Sequence, residues 1–359
     1  MKEMLIIADN RFPLSYAATT RVFMICKLFQ SIGFKTSVFI INVNEKKKFY
    51  LNDSKIYCRW FAEKKNCFFV RNENKTKIIN AVKARGKKLE CIVLYQEILF
   101  QMLPILKLSK DLGYKVLAYF DEWYEWEKIN RKNFWKVLIH NMNIRLSEYV
   151  IAPKIKNKIV ISTALKKFYK KGNCFLLPTV VDLEDMMWQR DFSKVNDKIV
   201  IIYSGWPGGR DDLRLLVEAI DEFSIEEKKH IQLRIYTYST TDNDLRNHIP
   251  EFDRIRKENI GTIEFCGEVT REQVIEQLKQ ADFSYLVREN KWSNNAALST
   301  KIGESLAAGT PMLCNCTSDI KMYIKDGING IIIPNMSKDS IRKSIYKIFN
   351  LSIDKRILM

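Results

Sequence analysis

A chain of 359 residues, 47% hydrophobic and 28% charged, is globular in composition and too long for one ordinary core, so two domains of roughly 150 to 200 residues are expected. No apolar run reaches the roughly 18 residues of a membrane span, and the opening MKEMLIIADNRF meets Asp9 and Arg11 too early for a secretory signal; both predict a cytoplasmic protein. The formal net charge of +17 sits wholly in the first half, where Met1 to Asp185 holds 34 Lys and Arg against 17 Asp and Glu, so that half favours an anionic partner such as nucleic acid, acidic lipid or a phosphorylated acceptor, unless the lysines are only a dispersed surface.

Met4 to Ala8 reads as a buried strand. Thr19 to Ile32 carries apolar residues at 22, 23, 25, 26, 28, 29 and 32, the wide stripe of a core helix, which Gly33 ends before a strand at Thr36 to Ile41. This is the βαβ opening of a parallel sheet. The loop Asp9 to Ala18 then falls at the carboxyl end of the first strand, where such sheets bind ligands, and the small Ala17 and Ala18 would let a ligand approach the backbone.

Cys91 to Tyr95 and Lys115 to Phe120 read as strands around a helix at Glu97 to Leu112. The next stretch, Asp121-Glu122-Trp123-Tyr124-Glu125-Trp126-Glu127, places four carboxylates among three aromatics at the ligand end of the sheet. A sugar-contacting or catalytic role fits that position, and so does an acidic loop paired with nearby lysines. A helix at Phe134 to Leu146, a strand at Lys158 to Ser162, a helix at Thr163 to Lys171 and a strand at Cys174 to Leu177 follow. Periodicity then fails, which predicts a linker at 186–197 between a domain at 1–185 and one at 198–340, with a terminal helix and tail at 341–359.

The second series opens with the apolar Ile199 to Tyr203 and the turn Ser204-Gly205-Trp206-Pro207-Gly208-Gly209-Arg210, leading into a helix at Asp212 to Phe223. Such a turn suits close approach of phosphate to backbone, with Gly205, Trp206 and Arg210 as candidate contacts, although glycine turns between strand and helix are common. Strands are expected at Ile231 to Tyr236, Ile263 to Phe265, Phe283 to Val287, Met312 to Cys314 and Gly330 to Ile333. Helices at Asp244 to Lys257, Arg271 to Gln280, Thr317 to Lys325 and Asp339 to Phe349 fill the gaps. The eight cysteines form no Cys-x-x-Cys pair and there are only three histidines, so they read as small core residues in a reducing compartment and no metal site is predicted.

The richest stretch is Trp292 to Pro311, WSNNAALSTKIGESLAAGTP. Ser299 or Thr300 can cap a helix that Gly309-Thr310-Pro311 stops. Its first turns carry Lys301 and Glu304, three apart on one face, behind a polar Asn294-Asn295 loop. A cation, a carboxylate and free backbone N–H groups there can hold a phosphorylated ligand; the plainer alternative is a solvated Lys301–Glu304 ion pair.

Together these residues resemble GT-B glycosyltransferases of the retaining family-4 (group 1) type. Leu177 to Asp182 is similar to the family's PNGVD stretch, Ser299 to Pro311 to its SPxKxxEyxAaGxP segment, and Asp326 to Gly330 to its DGxNG turn. The resemblance implies two tandem Rossmann-like doubly wound α/β domains with an interdomain cleft, and a retaining, metal-independent transfer with no cofactor beyond a UDP-, GDP- or dTDP-sugar co-substrate. Glu304 would bind the ribose hydroxyls, Lys301 and Arg210 the diphosphate, and Asn294 and Asn295 the sugar. Ala296 stands where the family often has its first carboxylate. Many relatives have a histidine where this chain has Asp121 and Glu122, which become acceptor-side catalytic candidates. The expected acceptor is a saccharide, lipid-linked at the inner face of the plasma membrane, in capsule, O-antigen or exopolysaccharide assembly; contact with anionic membrane follows from the basic first half. A non-catalytic nucleotide-sugar-binding subunit is the alternative that Ala296 raises. No motif supports nucleic-acid binding.

Overall fold

The computed structural model describes residues 2–8, 17–42, 57–62, 72–95, 102–126, 134–192, 196–208, 210–237 and 240–359. The chain divides into two compact units, Met1–Val180 and Val181–Met359.

In the first unit the strands are β1 (Lys2–Ala8), β2 (Phe34–Asn42), β3 (Tyr57–Ala62), β4 (Leu89–Tyr95), β5 (Lys115–Phe120), β6 (Asn157–Val160) and β7 (Asn173–Leu176). They form one sheet in the order β3-β2-β1-β4-β5-β6-β7, all parallel. The centre is covered on both faces, which is why β1 and β4 read as unbroken apolar runs. Helices α1 (Ala17–Ser31), α2 (Asn72–Lys83), α3 (Leu103–Leu112), α4 (Phe134–Arg145) and α5 (Thr163–Phe168) supply the cover. Val22, Phe23, Ile25 and Cys26 of α1 pack onto Met4, Ile6, Val38 and Val93. Ala17 and Ala18, expected in a loop, instead begin α1. The rest of that loop, 9–16, the start of the helix expected at Glu97 and the last carboxylate of the acidic stretch, Glu127, lie outside the described residues.

In the second unit β8 (Ile199–Gly205), β9 (Ile231–Thr237), β10 (Ile263–Gly267), β11 (Phe283–Leu286), β12 (Met312–Asn315) and β13 (Gly330–Ile333) run parallel in the order β10-β9-β8-β11-β12-β13. The helices are α6 (Arg214–Asp221), α7 (Ile225–Lys228), α8 (Asp242–His248), α9 (Phe252–Glu258), α10 (Arg271–Gln280), α11 (Trp292–Ala296), α12 (Thr300–Ala307), α13 (Ile320–Tyr323), α14 (Lys338–Phe349) and α15 (Ile353–Leu358). The single helix expected at Asp244 to Lys257 is two, because Pro250 removes an N–H and its ring clashes with the preceding turn; Glu251 follows at φ 57°.

The stretch expected as a linker, 186–197, is docked on this second unit where it is described. Trp188 is buried among Val200, Ile202, Ile275 and Leu278, and Arg190 donates to the carbonyls of Gly309 at 2.6 Å and Ala281 at 2.9 Å. The Asp326 to Gly330 turn is held from within: Asp326 accepts from the Ile332 N–H and Asn329 from the Lys325 N–H, each at 2.7 Å. Among the described residues, no helix is long and apolar enough to cross a membrane.

Candidate functional site

In the second sheet the strand order reverses between β8 and β11, so their carboxyl ends flank an open crevice, the position at which doubly wound sheets take ligands. Gly205 closes β8 at φ 147°, a conformation that residues with a Cβ rarely adopt. A Cβ built there would fall 2.7 Å from Lys301 Nζ, so the ammonium lies against the glycine turn as the sequence pattern suggested.

Lys301 does not pair with Glu304. Its ammonium donates to Asp211 Oδ2 and sits 4.3 Å from the centroid of the buried Tyr203 ring. The other Asp211 oxygen accepts from Arg288 Nε at 2.6 Å. Asp211 and Arg288 also form an isolated antiparallel bridge, and the neighbouring Asp212 N–H donates to Val287 O at 2.9 Å, which ties the turn after β8 to the end of β11. Burial opposes ionisation of Asp211, but the two cations override it and hold the carboxyl at about 2. For Lys301 burial is the larger influence and lowers the ammonium from its ordinary range, with Asp211 opposing. We take the pair as ionised, because each ion has a charge-assisted hydrogen bond to the other.

Glu304, one turn further along α12, accepts from Arg271 Nε at 2.9 Å. The Arg271 guanidinium lies 5.7 Å from the Trp188 ring centroid, so a carboxylate on α12, an arginine on α10 and an aromatic from the docked segment form one row. Ser299 is the N-cap residue of α12, but its hydroxyl makes no capping bond and accepts instead from Arg288 Nη2 at 3.4 Å. This leaves the first N–H groups of α12 without a side-chain cap, at the crevice.

Asn294 and Asn295 belong to the short helix α11 and not to a loop. Asn294 is buried, donates to Glu289 O at 2.9 Å, and its Oδ1 has no partner among the described residues. Asn295 bonds to Asn290 Oδ1 at 2.7 Å and to the Ser318 N–H at 2.8 Å, so its amide holds the scaffold. Ala296 is fully buried. Trp206 is half-exposed with His248 edge-on at 6.3 Å, and Arg210 is half-buried beside Asp211.

In the first unit Asp121 follows β5 and is 2% exposed. Its Oδ2 accepts from Arg21 Nη1 at 2.7 Å and from the Tyr95 hydroxyl. Its other oxygen, Oδ1, is buried with no hydrogen-bond partner among the described residues. Glu122 is half-buried, and Trp123 packs edge-on against Phe168 at 4.8 Å, so part of the acidic aromatic stretch is core. The side chains of Ala17 and Ala18 lie outside the described residues.

Asp211, Arg288 and Arg271 were not foreseen as site residues. Arg288 had a signal, since it immediately follows an expected strand in the ligand-binding half of the chain. Arg271 had none, because only the fold brings α10 beside α12.

Residues 198–350 match the family model described as Glycosyl transferases group 1. No curated protein sequence matches the chain. Sucrose-phosphate synthase from Thermosynechococcus elongatus is similar in structure with a TM-score of 0.72 at 13% identity, over 100% of this chain and 92% of that one. HepE from Anabaena, solved in complex with UDP, gives 0.69 at 12% identity over 100% and 93%. WaaG, a glycosyltransferase involved in lipopolysaccharide biosynthesis, gives 0.67 at 13% identity over 99% and 92%. At these identities the likeness is one of fold, the two-domain α/β architecture called GT-B.

Proposed function

Because residues 198–350 match the group 1 glycosyltransferase model in a chain with the GT-B fold, we propose that this enzyme moves a sugar, with retention, from a nucleotide-sugar donor to a saccharide acceptor in surface polysaccharide assembly. The observation that carries the donor half is the crevice between β8 and β11, where Gly205, Arg288 and Lys301 converge one helical turn from Glu304.

In this reading the diphosphate lies over Gly205 and accepts from Lys301, Arg288 and Arg210, with the uncapped start of α12 adding its N–H groups. These donors also stabilise the charge that grows on the leaving phosphate as the glycosidic bond breaks. Glu304 Oε1 is held by Arg271, so Oε2 is the oxygen offered to the ribose hydroxyls. Asn294 Oδ1, buried and unpaired, is the group nearest in kind to the missing carboxylate at Ala296 and would accept from a sugar hydroxyl once α11 shifts. The donor's base is open among uridine, guanosine and deoxythymidine; the UDP seen on HepE makes UDP-sugars the first to try. The strongly basic first unit supports an acceptor presented at an anionic membrane surface from the cytoplasmic side, and WaaG, similar in fold, is involved in lipopolysaccharide biosynthesis.

The test is to incubate the purified protein with UDP-, GDP- and dTDP-sugars, with and without lipid-linked saccharide acceptors, and to follow nucleoside diphosphate release and the anomeric configuration of the product. Inversion would remove the retaining mechanism. Nucleotide binding without turnover on any acceptor would leave only a donor-binding subunit. Flotation with anionic and neutral liposomes tests the membrane part, and equal, negligible recovery with both would remove it.

A further inference from the structure

We propose that Asp211 is a charge-balancing residue that weakens the grip of Lys301 and Arg288 on the nucleoside diphosphate product, and so sets how fast that product leaves. The proposal rests on the reading above, in which those two cations receive the diphosphate.

One carboxylate serves both cations, Oδ2 to Lys301 and Oδ1 to Arg288. Its side chain is 7% exposed, while theirs are 17% and 12% exposed. The backbone bridge to Arg288 and the bond from Asp212 to Val287 hold the main chain of Asp211 at the strand ends, beside both cations. The unliganded group of three ions therefore carries one net positive charge where the two cations alone would present two.

A nucleotide sugar brings about two negative charges on its diphosphate, and the product gains roughly one more when the bond to the sugar breaks. Two unbalanced cations in a partly enclosed site would bind the product most tightly when it has to depart, since charge interactions strengthen as water is excluded. Asp211 competes for the same N–H donors and repels the added charge. Product departure limits turnover in many enzymes, so a residue that lowers product affinity raises the rate without touching the reacting atoms.

The test is calorimetric titration of wild type and Asp211→Asn with UDP, GDP and dTDP, together with single- and multiple-turnover kinetics. For the nucleotide that wild type binds, the Asn variant should bind roughly tenfold tighter and show a burst of first-turnover product before a slowed steady state. A residue that merely held the fold together would weaken binding when lost, so unchanged or weaker affinity in the variant overturns the proposal. Failure of wild type to bind any of the three overturns the donor reading itself, which is a different result. Should Asp211→Asn not fold, the double variant Asp211→Asn/Lys301→Gln removes one charge of each sign. Its affinity should stay within about threefold of wild type, and a larger loss overturns charge balance as the role of Asp211.

Discussion

The ammonium of Lys301 occupies the space that a side chain on Gly205 would need, 2.7 Å from a Cβ built on that glycine. Gly205→Ala therefore does two things at once. It forces a φ of 147° on a residue with a Cβ, at a cost of about 1 to 3 kcal/mol, and it pushes the ammonium off the turn. We expect a lower thermal midpoint and a loss of nucleotide affinity of at least about tenfold. Adding Lys301→Met to Gly205→Ala should then weaken affinity little further, because both changes act on one contact; full additivity would separate the two residues.

Glu304 and Arg271 form the other fixed point of the crevice. Glu304→Gln keeps the shape and removes the charge, so nucleotide affinity should fall by about 1.5 to 3 kcal/mol, as for hydrogen bonds to charged groups. The informative comparison is a nucleoside diphosphate against its 2′,3′-dideoxy analogue. Wild type should prefer the ribose form strongly and Glu304→Gln should lose most of that preference; an unchanged preference would mean that Glu304 does not meet the ribose. Arg271→Ala should cut the same preference less, since it frees the carboxylate without removing it.

How much of this could be read in the sequence depends on whether the signal is local. Strands buried on both faces are apolar runs, so Ile199 to Tyr203 and Met312 to Cys314 were plain, and Arg271 to Gln280 matched its helix end to end. β3 was not foreseen, because an edge strand reading YCRWFA carries a charge and has no run. Lys301 and Glu304 were visible as a pair on one helix face, but their partners are 90 and 33 residues away, and no periodicity reports such contacts. The nearest charge in sequence looked like the partner, and the fold supplied others.

Asp211 also makes stability depend on pH with a definite sign. Its folded value of about 2 lies below the ordinary carboxylate range near 3.9, so its contribution is fully present above about pH 4 and is lost as the pH falls towards 2. A depression of roughly two units corresponds to about 3 kcal/mol. Urea denaturation of wild type and Asp211→Asn between pH 6 and 3 should show the gap between them narrowing as the solution is acidified. A gap that stays constant would mean the carboxylate is not held ionised by Lys301 and Arg288.

Arg21 and Asp121 are 7% and 2% exposed, and neither can lose the other without leaving an enclosed charge. Asp121→Asn and Arg21→Met should each destabilise the protein by about 3 to 5 kcal/mol, whereas Arg21→Met with Asp121→Leu should cost much less than the sum. Equilibrium denaturation of the four proteins closes that cycle. If Asp121 serves the reaction only through this pair, Asp121→Asn assayed well below its own melting temperature should lower activity in step with Arg21→Met. A far larger loss in Asp121→Asn alone would support direct acceptor chemistry at that carboxylate, because removing Arg21 leaves it in place.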